Sequence, residues 1–233
     1  MLNIKLFRAI DDLESCSKFA EGHAKVLLDY GVTKVTSSST DWFYNPAVYV
    51  IIAEIEETSE IVGGIRIHIA DGVTALPMED AISIVDTRVF QLIKEHAAHG
   101  TAELCGLWNS KTTAGWGIGS YILMRAGISV IPKLNLSTLF ALCAPHTLNI
   151  STEKGFEVEK SIGNEGTFIY PKLDLIATSI VIKNPVSLPV ALPEERKIIL
   201  NLRENPLEIV TEFNQRRSTE ISYDLRHKEF SVY

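Results

Sequence analysis

The spacing of apolar and polar residues changes several times along this chain, and each change marks a predicted element. Asn3 to Ile10 is rich in strand-forming residues. Asp11 and Asp12 then precede a run whose apolar side, Leu13, Cys16, Phe19, His23 and Leu27, repeats at helical spacing, so they are placed to cap a helix that Gly31 would end. After the polar stretch Thr36 to Thr40 come two β-rich runs, Val48 to Ile55 and Ile61 to Ile69, which flank the acidic turn EETSE and predict a hairpin. Met78 to His99 carries Ile82, Val85, Val89, Leu92 and Ile93 along one side, which predicts a single long helix closed by Gly100.

The second half alternates. Ala102 to Trp108 reads as a short strand, Ile118 to Ile131 as a buried helix stopped by Pro132, and Thr138 to Ala144 as a buried strand. Pro145 to Lys154 reads as a short helix punctuated by Gly155, with two more strands around Phe156 to Ile162 and Thr167 to Ile182. The order is mixed α/β. From Asn184 the texture changes: Pro185, Pro189, Pro193 and Pro206 punctuate a segment whose later half, Glu212 to His227, is charged and weakly periodic. The expectation is one domain over residues 1–183 and a C-terminal appendage over 184–233, in which Glu194 to Leu202 fits a short helix or a strand equally.

Composition narrows the class of molecule. A 233-residue chain with 46% hydrophobic content has enough apolar material for a real core. Its net charge of −7, with Lys and Arg scattered, offers no electrostatic footprint for nucleic acid. No apolar run approaches the roughly 18 residues that mark a membrane span, and MLNIKLFRAIDDLE lacks the pattern of an export signal, so the cytoplasm is expected. Cys16, Cys105 and Cys143 lack the paired spacing of zinc sites or redox dithiols and read as small buried hydrophobes. His96 and His99 have no third ligand in pattern; they complement a helix C-terminus, and no metal is expected.

The segment TTAGWGIGS places Gly115, Gly117 and Gly119 between the strand at Ala102 to Trp108 and the helix that follows. Helix N-termini expose unpaired N–H groups and partial positive charge, so a phosphate can dock on a backbone from which side chains have been removed. A tight turn packed against a neighbouring helix accounts for the glycines equally well. Neither the dinucleotide fingerprint nor the P-loop fits their even spacing.

LWNSKTTAGWGIGSYIL resembles the segment of the GNAT acyltransferase superfamily in which a strand enters a Q/R-x-x-G-x-G/A loop that holds the pyrophosphate of acyl-CoA. Gly117 and Gly119 take the motif glycine positions and Ala114 takes that of the Gln or Arg, which leaves the site to the backbone of Ala114, Gly115, Trp116, Gly117, Ile118, Gly119 and Ser120. LSTLFALCA resembles the fifth strand of that fold, and PHTLNISTEKGFEVE its short helix followed by Gly155 and Phe156. By element order the resemblance runs from about Ile4 to Ile182. It implies a mixed, mostly antiparallel central sheet flanked by helices, and an N-acyltransferase that takes acetyl-CoA or a longer acyl-CoA as donor.

The same resemblance assigns roles. A splayed fourth strand would offer amides at Trp108 and Asn109 to the acyl-pantetheine arm; the other reading of these two is a strand end entering a turn. Glu103, six residues before Asn109, resembles the general base of histone-type acetyltransferases and the glutamate of E-x-S-R in acyl-homoserine-lactone synthases, whose arginine falls here on Gly106. A salt-bridged strand-end carboxylate is the alternative for Glu103. The family's acid tyrosine falls on Ser151, and His146, just beyond the fifth strand, is a candidate proton shuttle or a capping residue. The partner implied is a small-molecule amine or amino acid, with acyl carrier protein as donor in the branch that contains N-acyl amino acid synthases. The acceptor-side loops, Ser37 to Pro46 and Val73 to Asp80, carry no motif. Two further readings stay open: a noncatalytic acyl-CoA sensor, which Ala114 and Ser151 favour, and a structural domain whose glycines only satisfy packing.

Overall fold

The computed structural model describes residues 1–29, 31–32, 39–113, 119–170, 175–213 and 218–230. Strand β1 (Leu2–Arg8) leads through a 3-10 turn into helix α1 (Leu13–Asp29). Asp12 caps that helix, its Oδ1 accepting the Ser15 N–H at 2.9 Å. Strands β2 (Val48–Ile55) and β3 (Glu60–Ile69) form the expected hairpin. The predicted long helix is two: α2 (Pro77–Ile82) and α3 (Arg88–Ala97). Asp86 divides them, because its carboxylate accepts the N–H of Arg88 at 3.0 Å and the N–H of Gly163 at 2.7 Å. A side chain that competes for backbone donors ends one helix and starts the next.

Strand β4 (Thr101–Asn109), helix α4 (Ser120–Val130), strand β5 (Thr138–Cys143) and helix α5 (Pro145–Glu153) follow as the periodicity predicts. The last stretch differs in detail. Strand β6 covers only Glu157–Val158, and the run expected as one strand is β7 (Thr167–Ile169) and β8 (Ile176–Ile182), paired as an antiparallel hairpin. Helix α6 (Pro193–Glu204) resolves the ambiguity of Glu194 to Leu202, and β9 (Leu207–Phe213) and β10 (Ser218–Asp224) form a second hairpin.

All the strands join one sheet in the order β6-β8-β5-β4-β3-β2-β1-β10-β9, with β7 also on β8. Pairing is antiparallel except for β1 with β10 and β4 with β5. One face of the sheet, bearing Ile65, Ile67, Ala102, Leu104 and Leu139, packs in the core that includes Ile122, Ala126 and Ile128 of α4 and Ile199 of α6. The opposite face is covered in two patches: α1 with the 3-10 turn Asp41–Tyr44 over β2 and the far end of β4, and α2 with α3 over Phe140 and Val181. No helix among the described residues is long and apolar enough to cross a membrane.

Residues after 184 are bonded into this body. Strand β10 pairs with β1, and α6 sends Glu195 onto α4, where its carboxylate accepts from Arg125 Nε at 2.9 Å and Nη2 at 2.6 Å. Lys154, fully buried, lies 3.3 Å from the same carboxylate, and Glu212 of β9 takes Arg125 Nη1 at 3.0 Å. Burial works against ionisation of Glu195, yet the Arg125 hydrogen bonds and the Lys154 charge hold its pKa below the ordinary 4.5. Glu195→Ala leaves buried Lys154 without its carboxylate and Arg125 with Glu212 alone, and should lower stability by about 3–5 kcal/mol, read as a fall in urea midpoint. Because the folded pKa is depressed, the wild-type advantage should be present above pH 4.5 and fade as pH falls below it. A midpoint unchanged at pH 7 would show that the extension contributes no such anchor.

Candidate active site

The site starts from an irregularity in the sheet. Between Gly64↔Trp108 and Arg66↔Cys105 the register of β3 advances by fewer residues than that of β4, so β4 carries a bulge at Gly106 and Leu107. Gly106 has φ +61, the left-handed region, and a Cβ there would meet Arg66 Nε at 3.0 Å. The backbone angle favours glycine, and any Cβ would have to push Arg66 aside by a few tenths of an ångström. On the other side, β4 pairs with β5 only over Thr101, Ala102 and Glu103 with Thr138, Leu139 and Phe140. Beyond Glu103 the bulged strand runs on to Asn109 while β5 runs to Cys143, and the two diverge into a V.

Helix α4 lies at the open end of that V. The Cβ position of Gly63 comes within 3.0 Å of Asn109 Oδ1 and 3.4 Å of Leu123 Cδ1, which places the first turn of α4 beside the end of β4. Gly119, the N-cap, has extended backbone, and no described atom lies within 4 Å of its Cβ position. Ala114, Gly115, Trp116, Gly117 and Ile118 lie outside the described residues.

Trp108 turns its side chain away from α4. The indole packs edge-on against Phe19, at 5.9 Å between centroids, and so close to α1 that a Cβ on Gly22 would fall 2.1 Å from its ring. With its indole in the core, Trp108 offers no side chain on the α4 side.

Glu103 sits at the vertex, 3% exposed. Its Oε2 accepts the Met78 N–H at 2.7 Å, so the carboxylate caps the start of α2. Desolvation pushes its pKa up to about 8, helped by Glu79 and Asp80 and opposed by the Met78 N–H and the Arg66 charge. Opposite it in register on β3 is His68, and next along that face is Arg66, whose guanidinium carbon stands 4.3 Å over the Trp42 ring. Both are buried, at 4% and 1% exposure. Burial, then the Arg66 charge, depress the His68 pKa to about 4, so the imidazole is neutral at physiological pH.

The remaining candidates are placed differently. His146 is exposed on the first turn of α5. Ser151 is 1% exposed and donates its hydroxyl to Thr147 O at 2.9 Å, with Met124 Sδ at 3.9 Å. That bond closes within its own helix. Cys105 and Cys143 are buried thiols pushed up to about 12 and about 11 by desolvation, and His96 packs edge-on against Phe140. The sequence reading missed Arg66 and His68. The signal was present in GGIRIHI, where a cation and an imidazole occupy alternate positions of an apolar strand and therefore share one face.

No family model matches the sequence, and no curated protein matches it. Solved structures do match. FeeM, an N-acyl amino acid synthase from uncultured soil microbes, superposes with a TM-score of 0.58 at 14% identity over 88% of this chain and 98% of its own. MesI, a CoA-dependent acyl-homoserine lactone synthase, gives 0.54 at 12% identity over 84% and 94%, and an acyl-CoA N-acyltransferase from Pseudomonas aeruginosa gives 0.51 at 11% over 78% and 99%. The chain thus has the GNAT acyltransferase fold: a mixed, mostly antiparallel sheet flanked by helices.

Gly106→Ala tests the bulge. It forces a Cβ into the left-handed region and against Arg66, and should cost about 1–2 kcal/mol of stability from the backbone alone. Thermal unfolding of the variant reads this directly; a wild-type Tm would mean that β4 does not need its kink.

Proposed function

We propose that this chain transfers an acyl group from acyl-CoA to an amine by direct attack of the amine on the thioester, with Glu103 as general base. The observation that carries the reading is a buried carboxylate, pushed up to about 8, at the vertex where a bulged strand parts from its neighbour. In this reading the acyl-pantetheine arm lies along the unpaired backbone of β4 past Glu103, near Trp108 and Asn109. The pyrophosphate is held by the backbone of Ala114 to Ser120 ahead of α4. Backbone N–H groups polarise the thioester carbonyl.

Glu103 takes up the amine proton, directly or through water, as nitrogen bonds to the carbonyl carbon, and the C–S bond then breaks. A thiol whose pKa is about 8.5 leaves adequately as thiolate, which lessens the demand for an acid. Of the two candidate acids, His146 is exposed at the start of α5, whereas the Ser151 hydroxyl donates to Thr147 O. The likeness to FeeM, an N-acyl amino acid synthase, supports an amino acid acceptor as the finer version of this reading.

A second reading is favoured by one contact. Glu103 caps α2, which is a sufficient structural reason for a buried carboxylate, and a sensor that binds acyl-CoA without turnover would keep it. Thiol release across an amine panel separates the two. For the enzyme, Glu103→Gln should lower kcat/KM by about 10²- to 10⁴-fold while calorimetry still detects acyl-CoA binding. Wild-type kcat/KM should climb as pH rises toward about 8, since the base must be ionised, and level off above it. The Gln variant should lose that inflection. Binding without thiol release from any amine would favour the sensor, and no binding of CoA or acyl-CoA would leave only the fold.

A further inference from the structure

Asn45 fixes the protonation of His68. Its Oδ1 accepts the Ala47 N–H at 2.7 Å, so the other arm of the amide, Nδ2, is the atom that meets His68 Nε2 at 3.2 Å. An NH₂ group can only donate, so Nε2 accepts and the neutral ring carries its proton on Nδ1. That Nδ1 is buried with no hydrogen-bond partner among the described residues. A buried donor left unmet costs on the order of 1–3 kcal/mol, and this one lies opposite Glu103 on the adjoining strand, where facing Cβ atoms stand about 5 Å apart. No hydrogen bond joins this Nδ1 to the carboxylate, and one water with polar partners on both sides would supply the missing acceptor.

We propose that His68 is the positioning residue for Glu103: its Nδ1–H donates to a single ordered water whose own O–H donates to the Glu103 carboxylate. The inference rests on Glu103 acting as base. When the amine attacks, its proton passes to the water oxygen and a water proton passes to Glu103, so the water is regenerated and His68 keeps its proton and stays neutral throughout. The charged and titratable groups that bear on Glu103 from the elements around it are Arg66 on β3, Cys105 on β4, and Glu79 and Asp80 on α2; Asp71, past the end of β3, bears on His68. None of these is altered in the test.

The amide of asparagine lies where Nδ1 of the imidazole lies, and the amide of glutamine where Nε2 lies. His68→Asn should therefore preserve the donor toward Glu103, and His68→Gln only the contact with Asn45. Titration of the Glu103 carboxyl carbon by NMR should give a midpoint near 8 in the wild type, unchanged in His68→Asn and raised by about one unit in His68→Gln. In the thiol-release assay His68→Gln should lose about tenfold in kcat with KM for acyl-CoA unchanged, and His68→Asn should recover most of it. The reverse order, with Gln normal and Asn defective, would reduce His68 to a packing partner of Asn45 and overturn the proposal. So would a proton found on Nε2 by nitrogen NMR, or a Glu103 midpoint that neither variant moves. The titration needs no turnover, so a protein without acyltransferase activity but with the predicted midpoints would sink the enzyme reading and leave the His68 coupling standing.

Discussion

The bulge at Gly106 is the constraint on which the site depends. Because β4 gains a residue against β3 there, it bends away from β5 just after Glu103, and the backbone beyond is left unpaired with β5. The kink is held from the side as well as along the chain. Arg66 fills the space where a Gly106 side chain would stand, Trp42 lies under Arg66, and Phe19 and Trp42 meet edge-on at 5.6 Å. A change in any of these acts on the backbone of β4.

Burying Glu103, Arg66 and His68 together sets their electrostatics. Desolvation dominates for both titrating groups, so the carboxylate is raised and the imidazole lowered, and each moves toward its neutral form. The Arg66 charge acts on both in the same sense, favouring ionised Glu103 and neutral His68. The Met78 N–H adds a donor to the carboxylate from α2. One carboxylate thus answers to the sheet, to a helix start and to a neighbouring cation, and its proton affinity depends on how closely α2 covers the sheet.

The C-terminal extension has a comparable role on the other face. Arg125 belongs to the helix that follows the glycine-rich loop, yet two of its partners, Glu195 and Glu212, come from α6 and β9. Lys154 completes the cluster from the end of α5, with its ammonium 3.9 Å from the centre of the Tyr121 ring on the first turn of α4. Ionic contacts so well buried are costly unless every member is present. The orientation of α4 is therefore shared between the two ends of the sequence.

The sequence by itself determined the order of elements and much of their extent, because hydrophobic period and punctuation are local properties. The β2–β3 hairpin, the strand-loop-helix at β4 and α4, the stop at Gly100 and the Gly155-Phe156 turn could all be read from neighbouring residues. Glu103 was legible as a lone carboxylate in an apolar strand. The break at Asp86 was legible only in half: its bond to the Arg88 N–H is local, but the bond to Gly163 that also holds it comes from far along the chain. The entry of β9 and β10 into the sheet was not legible, because a weakly periodic charged segment becomes a strand only when β1 offers an edge. Tertiary structure alone decided that Trp108 would turn toward α1, that the Ser151 hydroxyl would close on its own helix, and that His68 would face Glu103. Strand register and burial set these, and both arise only when segments far apart in the chain meet.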